Sequence, residues 1–258
     1  MQIPIPTSTE ALKLMTRRLV ERMRRRRTPT RTDHPAALSC IIASNVYGSY
    51  CVPKSSILRP CAQTIMQNRV WEPETIDLMR RNCGAGDIIH AGTYFGDFLP
   101  ALTSALHPDA LLWAFEPSRQ HFRCAAITIE LNDIGRSVRL THAALGEHRG
   151  EVSLSSVDEA GIALGGLTHV SDSGTEIAPI LALDDFIPPD RPISILQLDV
   201  EGFEEAALRG AETLIRRNKP ILIVETPPTT NWFTALLNDC GYLYSGQVSW
   251  NSVYIAAP

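Results

Sequence analysis

An α/β fold on a mostly parallel, seven-stranded sheet with helices on both faces is what the sequence predicts, and three features predict it. From Trp71 onward, short apolar runs alternate with helix-length amphipathic stretches, the pattern of β-α-β units. Runs such as residues 221–224 are apolar throughout instead of alternating, as strands covered on both faces are. The last two strand-like runs adjoin in sequence, so a terminal hairpin inserts one antiparallel strand.

Taken in order, residues 1–70 read as a basic arm followed by a cap segment of short strands, and residues 71–258 as the main domain. Glu72-Pro73-Glu74 opens a helix to residue 81, with proline early and acids in the first turn. Residues 87–91 form a short apolar strand that runs into Gly92-Thr93-Tyr94-Phe95-Gly96. A helix follows over about 97–106, then a strand over 111–115 ended by Glu116-Pro117. Ser118 caps a helix to about Leu131, and residues 138–145 make the third strand. A polar stretch carries two weak strands, 151–157 and 166–170. Residues 193–200 are the fourth main strand, 204–217 one helix, and 220–225 the fifth strand. A helix over 230–239 and strands over 242–248 and 252–256 close the chain. The arrangement is Rossmann-like.

At 258 residues, 44% hydrophobic and 20% charged, the chain can bury a sizeable core without staples. The net charge of -4 argues against a general nucleic-acid binder. Basic residues crowd the start, from Lys13 to Arg31. That run reads as a solvated arm, as a patch for RNA or acidic lipid, or as a transit-like leader. The acidic remainder of the chain is an intramolecular partner for it, and the N-terminal segment is also a candidate homo-oligomer surface. No apolar run reaches membrane-spanning length. The six cysteines form no CxxC pair and match no zinc module, so reduced thiols in the cytoplasm are expected.

The glycine turn follows the first strand, where doubly wound sheets bind ligands. Its spacing is G-x-x-x-G, not the G-x-G-x-x-G that grips a pyrophosphate, which disfavours a nicotinamide oxidoreductase. The spacing favours a cofactor held by an amino-acid end, such as S-adenosylmethionine. Glu116, at the end of the next strand, sits where an acid accepts ribose hydroxyls. Asp199 and Glu201 end the fourth strand and Glu225 the fifth. If the strand stays extended, Asp199 and Glu201 point the same way. Three carboxylates converging there can position a hydroxyl and take its proton, or hold one divalent cation. Glu204 and Glu205 read as complements to the dipole of the helix they open.

In order and spacing these residues resemble the FkbM methyltransferases. The likeness runs through residues 88–96, Phe115-Glu116-Pro117, Leu131-Asn132, Leu183-Asp184-Asp185, residues 198–204 with Gly210-Ala211, and Val224-Glu225. It implies an S-adenosylmethionine-dependent O-methyltransferase acting on hydroxyls of sugars, glycans or secondary metabolites. By that resemblance Gly92, Thr93, Tyr94 and Gly96 wrap the methionine part, Glu116 with Pro117 takes the ribose, and Asn132, Ala143 and Ala144 lie near the adenine. Asp199 lies beside the transferred methyl. The family usually carries Asp where this chain has His90, which cannot offer a carboxylate's charge to an ammonium. A histidine there makes binding pH-sensitive, or is a core residue satisfied by backbone. The same departure supports an alternative, a non-catalytic scaffold of methyltransferase fold. Arg59 and Gln63 read as ordinary surface residues or as groups that reach the cofactor carboxylate or the substrate, and residues 161–180 are expected to wall the acceptor.

Overall fold

The structure is a computed structural model, and it describes residues 38–155, 169–170, 174 and 176–257. The basic arm and most of the expected acceptor wall lie outside the described residues. The described residues belong to one compact unit, Leu38–Pro258.

The main sheet has seven strands. In chain order they are β3 (Asp87–Ala91), β4 (Leu112–Phe115), β5 (Val138–Thr141), β10 (Ile193–Leu198), β11 (Ile221–Val224), β12 (Tyr242–Val248) and β13 (Asn251–Ala256). They lie in the order β12-β13-β11-β10-β3-β4-β5. β13 runs antiparallel to both its neighbours, and the other pairings are parallel, as the sequence predicts. The order reverses at β3, between β10 and β4, which opens a crevice at the strands' carboxyl ends.

Both faces are covered. On one, Ile88, Leu112, Ile195 and Ile223 pack under helices α2 (Pro73–Asn82) and α3 (Leu99–Thr103). On the other, Ile89, Phe115, Leu196, Leu198 and Val224 pack under α5 (Glu204–Arg209), α6 (Glu212–Asn218) and α7 (Asn231–Cys240). At the end of β3 remote from the crevice, buried Asp87 accepts from Leu111 N, Trp113 Nε1 and the Arg191 guanidinium. Arg191 supplies the opposite charge that a buried carboxylate needs.

Residues 38–70 supply a hairpin, β1 (Cys40–Asn45) with β2 (Gly48–Pro53), and helix α1 (Pro60–Met66). The hairpin packs on α4 (Arg119–Leu131) through buried Tyr50, Cys51, Phe95 and Cys124. Side chains of α4 hold β2: Thr128 Oγ1 accepts from Cys51 N at 3.0 Å and donates to Phe95 O at 2.8 Å.

Four expectations about elements change. The helix expected over 97–106 is only Leu99–Thr103, because Thr103 and Ser104 hydroxyls donate back to carbonyls of the preceding turn. The strand expected over 138–145 stops at Thr141, and residues Ala144–Leu145 (β6) leave for a second sheet with β7 (Gly150–Ser155), β8 (His169–Val170) and β9 (Glu176–Leu181). The fourth strand ends at Leu198, since the chain turns at Glu201 (φ 54°) and Gly202 (φ 91°). The helix over 204–217 divides at Gly210-Ala211. A Cβ on Gly210 would lie 1.9 Å from Gly146 O, so that close approach requires glycine. Asp184 then caps the second half from outside, accepting from Thr213 N and Leu214 N at 2.8 and 2.7 Å.

Candidate active site

The crevice holds a cavity of about 560 Å³, within the range of small-molecule sites. Of the residues expected at the site, Gly92, Tyr94, Glu116, Pro117, Ala143, Ala144, Asp199, Glu201 and Glu225 line it, as does Arg59. Thr93, Gly96, Asn132 and Gln63 are not among its lining residues. Thr93 is fully buried and donates to His90 O, holding the turn together from behind. Asn132 is taken up by the hairpin: its Oδ1 accepts from Ser49 N and its Nδ2 donates to Ser49 O and Thr128 O.

The glycine turn is built by close approach. Gly92 has φ +84°, and a Cβ there would lie 1.8 Å from the Asp199 carbonyl oxygen. Its N–H and that of Thr93 both donate to Phe115 O at 3.1 Å, fastening the turn to the end of β4.

Glu116 is 5% exposed, so it is no strand-end surface charge. Its Oε2 accepts from Tyr94 N at 2.7 Å and its Oε1 from Ser118 N at 2.8 Å. One carboxylate thus ties the glycine turn to the start of α4 and keeps lone pairs for a ligand. Replacing Glu116 with alanine leaves two buried N–H groups without acceptors, at about 1–3 kcal/mol each. A thermal melt should show the loss, at roughly 2–4 °C per kcal/mol for a chain of this size. An unchanged melting temperature would mean that the bracing is not used.

His90 faces the same crevice. Its Nδ1 is hydrogen-bonded to Gln197 Oε1, which can only accept, so Nδ1 carries the proton. Its ring stacks on Phe98 at 5.1 Å. Nε2 is buried without a hydrogen-bond partner. Burial holds the ring's pKa down at about 4, against the bond to Gln197, so the imidazole is neutral at physiological pH. Its protein partner is therefore a side chain on one nitrogen only, not backbone.

Also lining the cavity, Asp199, Glu201 and Glu225 each put one oxygen within 4.8 Å of the others. Burial, then Glu225, holds the Asp199 carboxyl well above its ordinary range, and the same causes raise Glu201 to about 7. Glu204 does not join them: its Oε1 accepts from Val200 N at the start of its own helix. Glu205 pairs with Arg209 at 2.7 Å.

Several lining residues were not foreseen. Asp97 directly follows the glycine turn, and Gln197 precedes Asp199 by two on the strand, so both positions were legible. Glu72 was not: a left-handed backbone (φ 42°) brings it to the cavity, where Thr75 Oγ1 and Asn251 Nδ2 donate to it at 2.9 and 2.8 Å. His121 sits edge-on to Tyr94 at 4.6 Å, and Trp250 reaches the cavity from the tip of the terminal hairpin.

A family model described as the methyltransferase FkbM domain matches residues 82–244. A search of curated proteins finds no match. Among solved structures, methyltransferase FkbM from Methylobacillus flagellatus KT is 16% identical, with 66% of this chain and 43% of that chain covered and a TM-score of 0.48. A Pyrococcus abyssi tRNA (uracil-54, C5)-methyltransferase in complex with S-adenosyl-L-homocysteine is 9% identical, with 84% and 44% covered and a TM-score of 0.45. A SAM-dependent methyltransferase from Aquifex aeolicus is 14% identical, with 72% and 88% covered and a TM-score of 0.39. The chain thus spans less than half the length of the first two.

Proposed function

The chain belongs to the FkbM methyltransferase family, and from that premise we propose that it transfers the methyl group of S-adenosylmethionine to a hydroxyl of a sugar, glycan or secondary metabolite. The observation that carries the reading is Glu116: a buried carboxylate at the end of β4, braced by two backbone N–H groups and facing the cavity. A neutral or exposed group there would not accept ribose hydroxyls as well. The turn between Gly92 and Gly96 takes the amino-acid end of the cofactor, and the small side chains of Ala143 and Ala144 leave room for its base.

S-adenosylmethionine, when bound, supplies a methyl already activated on a sulfonium. What remains for the protein is alignment of the acceptor oxygen and uptake of its proton. Asp199 is the base, at the cavity mouth beside the turn. Burial, then Glu225 and Glu201, keep its proton affinity high enough for that task. A second reading of the trio, favoured by its 4.8 Å grouping, is one divalent cation that lowers the hydroxyl pKa. Among the described residues no helix is long and apolar enough to cross a membrane, and a cytoplasmic setting belongs to the same proposal.

Titration calorimetry with S-adenosylmethionine should show one site per chain. Label from the methyl group should then pass to a hydroxyl in a panel of sugars, glycans and polyols. Binding without transfer to any hydroxyl would favour the scaffold alternative, and absence of binding would remove the reading. Activity abolished by EDTA and restored by magnesium would choose the metal over the unaided base.

A further inference from the structure

An indole that lines the cavity has no part in the function proposed above: Trp250, which is 66% exposed there. Ser249 and Trp250 are the two turn residues between β12 and β13, since Val248 pairs with Asn251. In β13, Ser252 pairs with Val224, the last residue of β11, and the two strands run antiparallel. The residues before Ser252 therefore extend past the carboxyl end of β11, where Glu225 follows. That sets Trp250 toward Glu225 and its companions Asp199 and Glu201, with β11 and β10 between it and the glycine turn after β3.

Both neighbours of Trp250 are anchored. Asn251 is 2% exposed, and its Nδ2 donates to Glu72 Oε2 at 2.8 Å. Ser249 Oγ donates to Glu74 Oε2 at 3.5 Å, and its backbone is left-handed, with φ 52°. A residue other than glycine in that region costs about 1–2 kcal/mol, and two-residue hairpin turns favour glycine or asparagine where φ is positive. The hairpin therefore holds its tip against the start of α2 and still leaves the indole largely in water. An indole can bury about 150–250 Å², so one kept outside the core while its backbone is held on both sides is a contact surface for something that enters the cavity.

Resting on the methyl-transfer reading, we propose that Trp250 is a specificity-determining platform for the acceptor, and that the acceptor is a hydroxyl-bearing ring. A flat indole face matches another flat face, either the C–H side of a saturated ring or an aromatic ring, and an open chain offers it none. The carboxylate oxygens beside it accept hydrogen bonds from the ring's hydroxyls. Stacking holds the ring in place while the proton is taken up elsewhere, so Trp250 acts by orientation alone.

The test measures transfer of labelled methyl by the full chain to glycosides and oligosaccharides, to phenols such as catechol, and to open-chain polyols such as sorbitol. Wild type should methylate a ring at least about 10-fold better than any open chain, and whether that ring is a glycoside or a phenol tells the saturated class from the aromatic one. W250A should raise KM for the ring about 10- to 100-fold with kcat within about 3-fold, and W250F should recover most of the loss. Calorimetry should show S-adenosylmethionine binding to W250A within about 2-fold of wild type, which also reports that the variant folds. An unchanged KM in W250A, no recovery in W250F, or transfer to open chains in preference to every ring would overturn the proposal while leaving methyl transfer standing. A wild-type protein that does not bind S-adenosylmethionine would remove the methyl-transfer reading itself.

Discussion

Gly92→Ala is expected to destabilise the protein by about 2–5 kcal/mol and to abolish ligand binding at the turn. Two costs add. Alanine in the left-handed region costs about 1–2 kcal/mol, and a methyl forced into packed surroundings about 1–3 more. The second cost is at its upper end here, because the atom met at 1.8 Å is the Asp199 backbone oxygen and cannot rotate aside. Gly202→Ala is the control. It has φ +91°, but its Cβ would meet nothing within 4 Å, so only the conformational cost applies. Thermal melts should place the Gly92 variant roughly 5–15 °C below wild type and the Gly202 variant only a few degrees below. Equal shifts would show that the close approach of β3 and β10 does not govern the turn. The contact also matters for chemistry, since relieving the clash moves Asp199.

The contrast between those two glycines shows what a sequence can and cannot disclose. Both look like turn residues, and only packing separates them. The strands over 87–91, 193–198 and 221–224 were legible because burial on both faces leaves an unbroken apolar run. The terminal hairpin was legible because its strands adjoin. The divided helix was not, because Gly210 answers to Gly146, which is distant in sequence, and Asp184 caps from outside the helix. The second sheet was hard to read because β6 and β8 are two residues each and β9 leaves Ile177 exposed. In the site, groups at strand ends were legible from strand position alone. Glu72 and Trp250 were not, since a left-handed residue before a helix and a hairpin tip carry no ligand signal. His90 was read as a departure, but its pairing with Gln197 needs the β3–β10 register, which sets the two side by side.

Asp199→Asn is expected to lower turnover by about 10²- to 10⁴-fold while leaving cofactor affinity mostly intact. The base must be ionised to work, and burial with Glu225 beside it favours the protonated form. The rate should therefore climb with pH above the ordinary carboxylate range, and Glu201 titrates at about 7. Glu201→Gln removes one of the charges opposing Asp199 ionisation, so the rising limb should move to lower pH. A limb that stays in place would deny the coupling, and an Asp199→Asn variant with wild-type turnover would deny the role. Stability should run the opposite way. Asp97 binds its proton more tightly folded (about 7) than unfolded (3.8), so stability present near pH 4 is lost as pH rises to about 7. That one group accounts for about 4 kcal/mol of the loss, at 1.36 kcal/mol per unit. D97N should flatten the fall of melting temperature between pH 5 and pH 8, and a slope identical to wild type would show that Asp97 is not strained by burial. A site that gains activity and loses stability over the same pH interval holds its carboxylates ready for positive charge, and saturating S-adenosylmethionine should offset part of that loss.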